Sequence, residues 1–199
     1  TIDVTQVFFA SNESADRGAF AALRADGSVV TWGTSYNGGD SRTVAAQLDG
    51  TIDVTQVFSN GNAFAALRAD GSVVTWGHSP YYGNFGGDSS AVAAKLDGTI
   101  DVTQVFSTQE AFAALRADGS LVTWGDSYCG GDSSAIAAKL DGTIDVTQVF
   151  SNGSVFAALR DDGSVVTWGN STRGGDSSAV AAQLDGSIDV TQEIGRASW

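Results

Sequence analysis

One cysteine and one histidine in 199 residues leave little from which to build a reactive centre. With Cys129 alone, no intrachain disulfide forms and no cysteine-based metal cluster assembles. With His78 alone, a nucleophile–base pair would still need an orienting group, and its Tyr- and Gly-rich loop offers none in sequence. Basic residues are also scarce: 10 face 23 acidic ones, a net charge of −13, with a pI near 4.1. A surface of that sign repels phosphate backbones, so nucleic acid is not expected as a partner, and neither are anionic membrane surfaces. No run of about 20 apolar residues is present, so no membrane insertion is expected. Charged residues are only 17% of the chain and apolar ones 42%, a balance that builds a core and not an acidic coil. There is no methionine and no leader pattern, and Thr1 opens directly in a repeat. The chain is therefore expected to be a processed form or a piece of something longer.

What is present is repetition. FAALRADGSVVTWG at residues 64–77 recurs nearly unchanged at 20–33, 112–125 and 156–169. Apolar and β-branched residues flank an Asp-Gly pair, the pattern of strand, tight turn and strand. The units run 1–50, 51–98, 99–142 and 143–186, followed by a partial fifth copy and tail at 187–199. No Pro/Gly/Ser-rich linker separates them, so residues 1–199 are expected to form a single repeat domain. Within a unit, TIDVTQVFS reads as an alternating strand, AFAALR as a second and LVTWG as a third. A polar loop then ends in Gly-Gly-Asp-Ser. SSAIAAKLDG reads as a helix of one to two turns, capped by Asp132 or Ser133 and stopped at Gly142; the alternative is an irregular crossover.

The expected fold class is thus all-β with short crossover helices: four tandem three-stranded units in a β-propeller-like ring or an open arc. Such a unit cannot stand alone and must stack on its neighbours. Ala21, Ala22, Ala65, Ala66 and their equivalents allow close approach, and Trp32, Trp76, Trp124 and Trp168 supply a structural wedge. The recurring acids read as structural too. Asp26, Asp70, Asp118 and Asp162 form turns; Asp40, Asp88, Asp132 and Asp176 cap; Asp3, Asp53, Asp101, Asp145 and Asp189 bond nearby backbone. No D-x-D-x-D-G run suggests calcium, and neither a metal nor a cofactor is expected. Arg24, Arg68, Arg116 and Arg160 are expected to pair with local acids such as Asp161 or Asp162. The acids Asp126 and Asp132 near Cys129 are expected to raise the thiol pKa.

The pattern DG-x-V-x-x-WG followed by a Gly-Gly turn resembles the repeat of the regulator of chromosome condensation family. The shorter period is similar to that of the beta-lactamase inhibitor protein type II propeller superfamily. Its WG segment, loop, Ala-rich crossover and V-D-x-I-type strand correspond here to residues 74–77, 78–87, 91–96 and 100–105. The resemblance covers essentially the whole chain and implies a propeller of repeated blades. That superfamily typically has seven blades, against four units here, so pairing of two chains or docking onto a larger complex would supply missing contacts.

Differences between the copies concentrate in two loops. One joins strands one and two (residues 9–18, 59–62, 107–110 and 151–154); the other follows WG (34–37, 78–85, 126–129 and 170–173). In an antiparallel meander both emerge at the same end of the stack. Exposed Tyr and Phe beside Gly and Asn suit protein contacts. The candidate partner-binding residues are Asn12, Glu13, Tyr36, Asn37, His78, Tyr81, Tyr82, Phe85, Tyr128 and Arg173. The expected function is a non-catalytic protein-interaction or scaffold module, an accessory subunit of a larger assembly or a homodimer. The alternatives are a carbohydrate-binding module using Tyr36, Tyr81, Tyr82 and Tyr128, or a secreted protein inhibitor.

Overall fold

The computed structural model describes residues 2–11, 18–77 and 84–187. Each unit is a three-stranded antiparallel meander. The strands are β1 (Val4–Ser11), β2 (Gly18–Arg24) and β3 (Val29–Gly33); β4 (Val54–Ser59), β5 (Ala63–Arg68) and β6 (Val73–Gly77); β7 (Val102–Ser107), β8 (Ala111–Arg116) and β9 (Leu121–Gly125); and β10 (Val146–Ser151), β11 (Val155–Arg160) and β12 (Val165–Gly169). Each sheet keeps the order first–second–third, and no sheet mixes units.

The Asp-Gly pair makes the hairpin turn, with a loop one residue longer than the tightest form. Arg24 N–H donates to Ser28 O at 2.9 Å and Gly27 N–H to Arg24 O at 3.0 Å. Gly27 alone takes the left-handed conformation, with φ of 72°. This is the three-residue loop that ends on a left-handed glycine; the two-residue turn would also require positive φ at Asp26. Asp26 Oδ1 accepts from the Ser28 N–H and hydroxyl at 3.1 and 2.6 Å.

The first strand of each unit departs from simple alternation. Its register shifts between Val54 and Gln56, a bulge that places Val54 and Val57, three residues apart, both in the core. The same shift recurs at Val4/Gln6, Val102/Gln104 and Val146/Gln148. The bulge thread is tied by Thr55, whose hydroxyl donates to Leu67 O at 3.1 Å.

The crossover has 3-10 geometry (Arg42–Gln47, Ser90–Lys95, Ser134–Lys139 and Ser178–Gln183), interrupted in unit three by a kink at Ile136. Ser133 makes no side-chain cap; Asp132 Oδ1 accepts from Ser134 N–H at 2.9 Å instead. The helix ends at Leu140. Gly142, with φ of 84°, turns the chain after Asp141 has accepted from Thr143 N–H.

The hydrophobic core lies between units. In the first seam, unit one presents Ala19, Ala21, Leu23, Val29 and Leu48. Unit two answers with Val54, Val57, Phe64, Ala66, Val74 and Trp76. Two further seams repeat this between units two and three and between three and four. Phe64 and Trp76 are cross-strand partners, stacked at 5.2 Å between ring centroids, and the indole N–H donates to Gly38 O of unit one at 3.0 Å. Trp124 and Trp168 repeat this on Gly86 and Gly130. The first copy is the exception. Trp76, Trp124 and Trp168 are 2–4% exposed, whereas Trp32 is 45% exposed. Trp32 stacks on Phe20 at 5.2 Å but wedges against no preceding unit, which corrects its expected role. Among the described residues the four units thus form an open row.

Candidate functional site: the variable rim

The two variable loops of a unit meet because main-chain hydrogen bonds join them. Thr34, Asp126 and Asn170 donate their N–H to Gly18, Glu110 and Ser154 O at 2.9–3.0 Å. Side chains reinforce this: Asn60 Nδ2 donates to Phe85 O at 2.9 Å, and the Thr108 hydroxyl to Cys129 O at 2.9 Å. Neighbouring units are laced along the same edge. Ser59, Ser107 and Ser151 hydroxyls donate to Phe9, Ser59 and Ser107 O, and Gly61 N–H to Gln109 O. Both changeable segments therefore lie on one rim. The near-constant turns lie on the other, where Val54, Val102 and Val146 N–H reach Gly27, Gly71 and Gly119 O of the unit before.

Of the expected rim residues, Asn12, Glu13, His78, Tyr81 and Tyr82 lie outside the described residues. Tyr128 stands out at 62% exposure. Tyr36, at the same place in its unit, is half-buried, as is Phe85. Asn37 is fully buried, and its Nδ2 donates to Gly61 O of the next unit at 3.0 Å. It is a seam residue and cannot meet a partner, a correction to its place on the binding surface. Cys129 fills the equivalent slot in unit three and is buried likewise. Arg173 occupies it in unit four and is exposed; the slot is covered by a following unit only in the earlier copies.

The acids hold the backbone, which the sequence pattern anticipated in part. Asp88, Asp132 and Asp176 each accept from the N–H two residues on. Asp49, Asp97, Asp141 and Asp185 do the same before each new unit; sequence reasoning missed them, although their L-D-G-T/S setting is an Asx-turn signal. The backbone N–H of Thr51 and Thr99 hold Asp49 and Asp97 below the ordinary carboxylate pKa. Arg68, Arg116 and Arg160 pair with Asp70, Asp118 and Asp162 at 3.6–3.7 Å. Asp161 instead donates its main-chain N–H to Asp145 O. Asp53 packs its side chain where a Cβ on Gly27 would stand, over the turn of the preceding unit.

Chemistry is sparse among the described residues. Glu110, Asp126 and Cys129 bring ligand atoms within 4.8 Å of one another, the one three-residue group of metal-ligating type among them. Burial, with Glu110 and Asp126 beside it, pushes the Cys129 thiol up to about 11. Burial and then Asp126 raise Glu110. The Asp126 half of the expectation for Cys129 holds; the second acid is Glu110, not Asp132. A thiol that keeps its proton at neutral pH is a poor nucleophile. Three clefts of 570–590 Å³ open between successive crossovers, lined by residues such as Arg68, Ser72, Asp88 and Asp97. Neither Tyr36, Phe85 nor Tyr128 lines them.

Several solved structures share this arrangement. The entire ectodomain of the receptor kinase CR4 from Physcomitrella patens aligns over 95% of this chain and 47% of its own, with a TM-score of 0.57 and 14% identity. Human WBSCR16 aligns over 87% and 50%, with a TM-score of 0.51 and 20% identity. Prp20p from Saccharomyces cerevisiae, described with its binding properties to Gsp1p and histones, aligns over 81% and 43%, with a TM-score of 0.51 and 19% identity. The fold is of the repeat β-propeller type. The chain spans about half the length of these structures. No family model and no curated protein matches its sequence.

Proposed function

We propose that the chain is a non-catalytic protein-interaction module that holds a protein partner on its variable rim, as an accessory subunit of a larger assembly. One observation carries the reading. The rim backbone is fixed by the same loop-to-loop hydrogen bonds in units one, three and four, while the side chains displayed on it differ: Tyr36, Tyr128 and Thr172 share one position. A rigid frame with varied display is how repeat folds recognise macromolecules, and an exposed tyrosine adds contact area at small entropic cost. Prp20p, a protein of like fold described with its binding properties to Gsp1p and histones, supports the reading. The acidic charge favours a basic partner surface.

The test compares Tyr128→Ala and Tyr36→Ala on the rim with Ala117→Lys at the exposed turn on the opposite edge. Proteins captured from cell extract on the immobilised chain are identified and compared. The reading requires that a captured partner be lost with the rim substitutions and kept with Ala117→Lys. Capture that ignores the rim and fails with Ala117→Lys contradicts it. Binding of the rim to a glycan array, with no protein retained, would favour the carbohydrate reading instead.

A further inference from the structure

The three internal seams are built from one pair of complementary faces, and among the described residues the row of units leaves one face of each kind uncovered. At unit one, Val4, Val7, Val30 and Trp32 lie in the open, with Val30 at 47% exposure; their counterparts Val54, Val57, Val74 and Trp76 are at most 5% exposed. At unit four the receiving face is open. Leu184 is partly exposed where Leu48, Leu96 and Leu140 are buried, and Ala157 is partly exposed where Ala21, Ala65 and Ala113 are completely buried. Val180 is 42% exposed, while its counterparts Val44, Val92 and Ile136 pack against the next unit. A Cβ on Gly38, Gly86 or Gly130 would strike the phenylalanine of the following unit, whereas one on Gly174 would meet nothing within 4 Å.

We propose that these two faces bind each other between two copies of the chain, head to tail. Trp32 and Phe20 of one copy would cover Gly174 of the other, as Trp76 and Phe64 cover Gly38. The occupant is a second copy because the seam is already solved three times by this sequence. The parts that meet in it, from the tryptophan to the Ala-Leu floor, recur at both ends. Exposed apolar side chains at a face with a preformed complement are what drives association. The contact is heterologous, so it uses a different face on each copy and either closes a ring of eight units or continues as an open series. It lies at the ends of the row, apart from the variable rim, and stands or falls independently of the rim's partner.

Because the contact is heterologous, complementation tests it. Val30→Lys blocks the unit-one face only, and Val180→Lys the unit-four face only. Both valines are largely exposed within one chain, so at protein concentrations low enough for wild type to be monomeric the melting curves should match, and the variants should fall below wild type only where it associates. Sedimentation velocity on the full chain should show wild-type protein at twice the monomer mass or more. Each variant alone should be monomeric, since each has lost one of the two faces. An equimolar mixture should recover a species of doubled mass that grows no further. A monomeric wild type overturns the proposal, as does a Val180→Lys protein that still self-associates through its unit-one face. A monomeric wild type whose stability falls with Val180→Lys would assign the unit-four face to the chain's own residues 188–199. That result also overturns it.

Discussion

Units one and three carry almost the same hairpin, yet its tryptophan does different work in each. Trp124 is buried, stacks on Phe112 and donates its indole N–H to Gly86 of the unit before it. Trp32 makes the same stack on Phe20 but stands largely in solvent. The sequence of a unit therefore specifies its sheet, and the neighbour specifies whether the sheet has a core. Stability in this fold belongs to the seams, as expected for a quasi-one-dimensional repeat.

The largest expected effect separates those two tryptophans. Trp124→Ala should cost about 3–5 kcal/mol, the range for an emptied core aromatic. In the monomeric chain Trp32→Ala should cost under about 1 kcal/mol, since only one face of its ring is packed. Denaturant midpoints at unchanged slope read the difference; equal losses would break the comparison. Next come the glycines beneath the wedge. Gly130 has φ of 92° and its Cβ would run into the Phe156 ring, while Gly174 has φ of 110° and open space. Both alanine variants carry a backbone cost of about 1–3 kcal/mol, and Gly130→Ala should exceed Gly174→Ala by about 1 kcal/mol or more through repacking. Thermal melts rank them.

Smaller again is the bulge hydroxyl. Thr103→Ala should cost about 1 kcal/mol by removing the hydroxyl's hydrogen bond to Leu115 O, and Thr55→Ala the same in unit two. Equal costs would show that the bulge is local to each sheet and independent of its neighbours. The smallest effect per residue is in acid. The Arg42 side chain holds Asp40 down to about 2. In unit three Ser134, in place of Arg42, lowers Asp132 chiefly through its backbone N–H. A carboxyl lowered in the folded state favours folding above its unfolded pKa, near 3.8, and that help is lost as pH falls through the folded value. Stability should thus decline below about pH 4. Arg42→Ser should raise the Asp40 titration midpoint towards that of Asp132, read by NMR pH titration.

The hairpins, their number and the gathering of variable loops on one rim were legible because each rests on local signals: the Asp-Gly turn, the period, and the parity of a meander. The bulge was not. V-T-Q-V satisfies a strand pattern by composition, and only the pairing register reveals that Val54 and Val57 share a face. The crossover read as a helix because Ala and Leu favour one, yet in unit three it is two short 3-10 turns, closed by Ile136 N–H on Ser133 O and Leu140 N–H on Ala137 O and broken by a kink at Ile136. Asn37 looked like a loop residue at a variable position. Its burial depends on Gly61, 24 residues away in the next unit, which no local pattern encodes. Arg173 misleads in the opposite sense, because its exposure comes from its place at the end of the row.

Indole hydrogen exchange on the monomeric chain measures the central claim directly. The N–H protons of Trp76, Trp124 and Trp168 should exchange slowly, at rates set by opening of the seam each one spans, and that of Trp32 at close to the rate of a free indole. A Trp32 proton protected as well as that of Trp124, or a Trp124 proton as labile as that of Trp32, would show that the units are held together from within and not by one another.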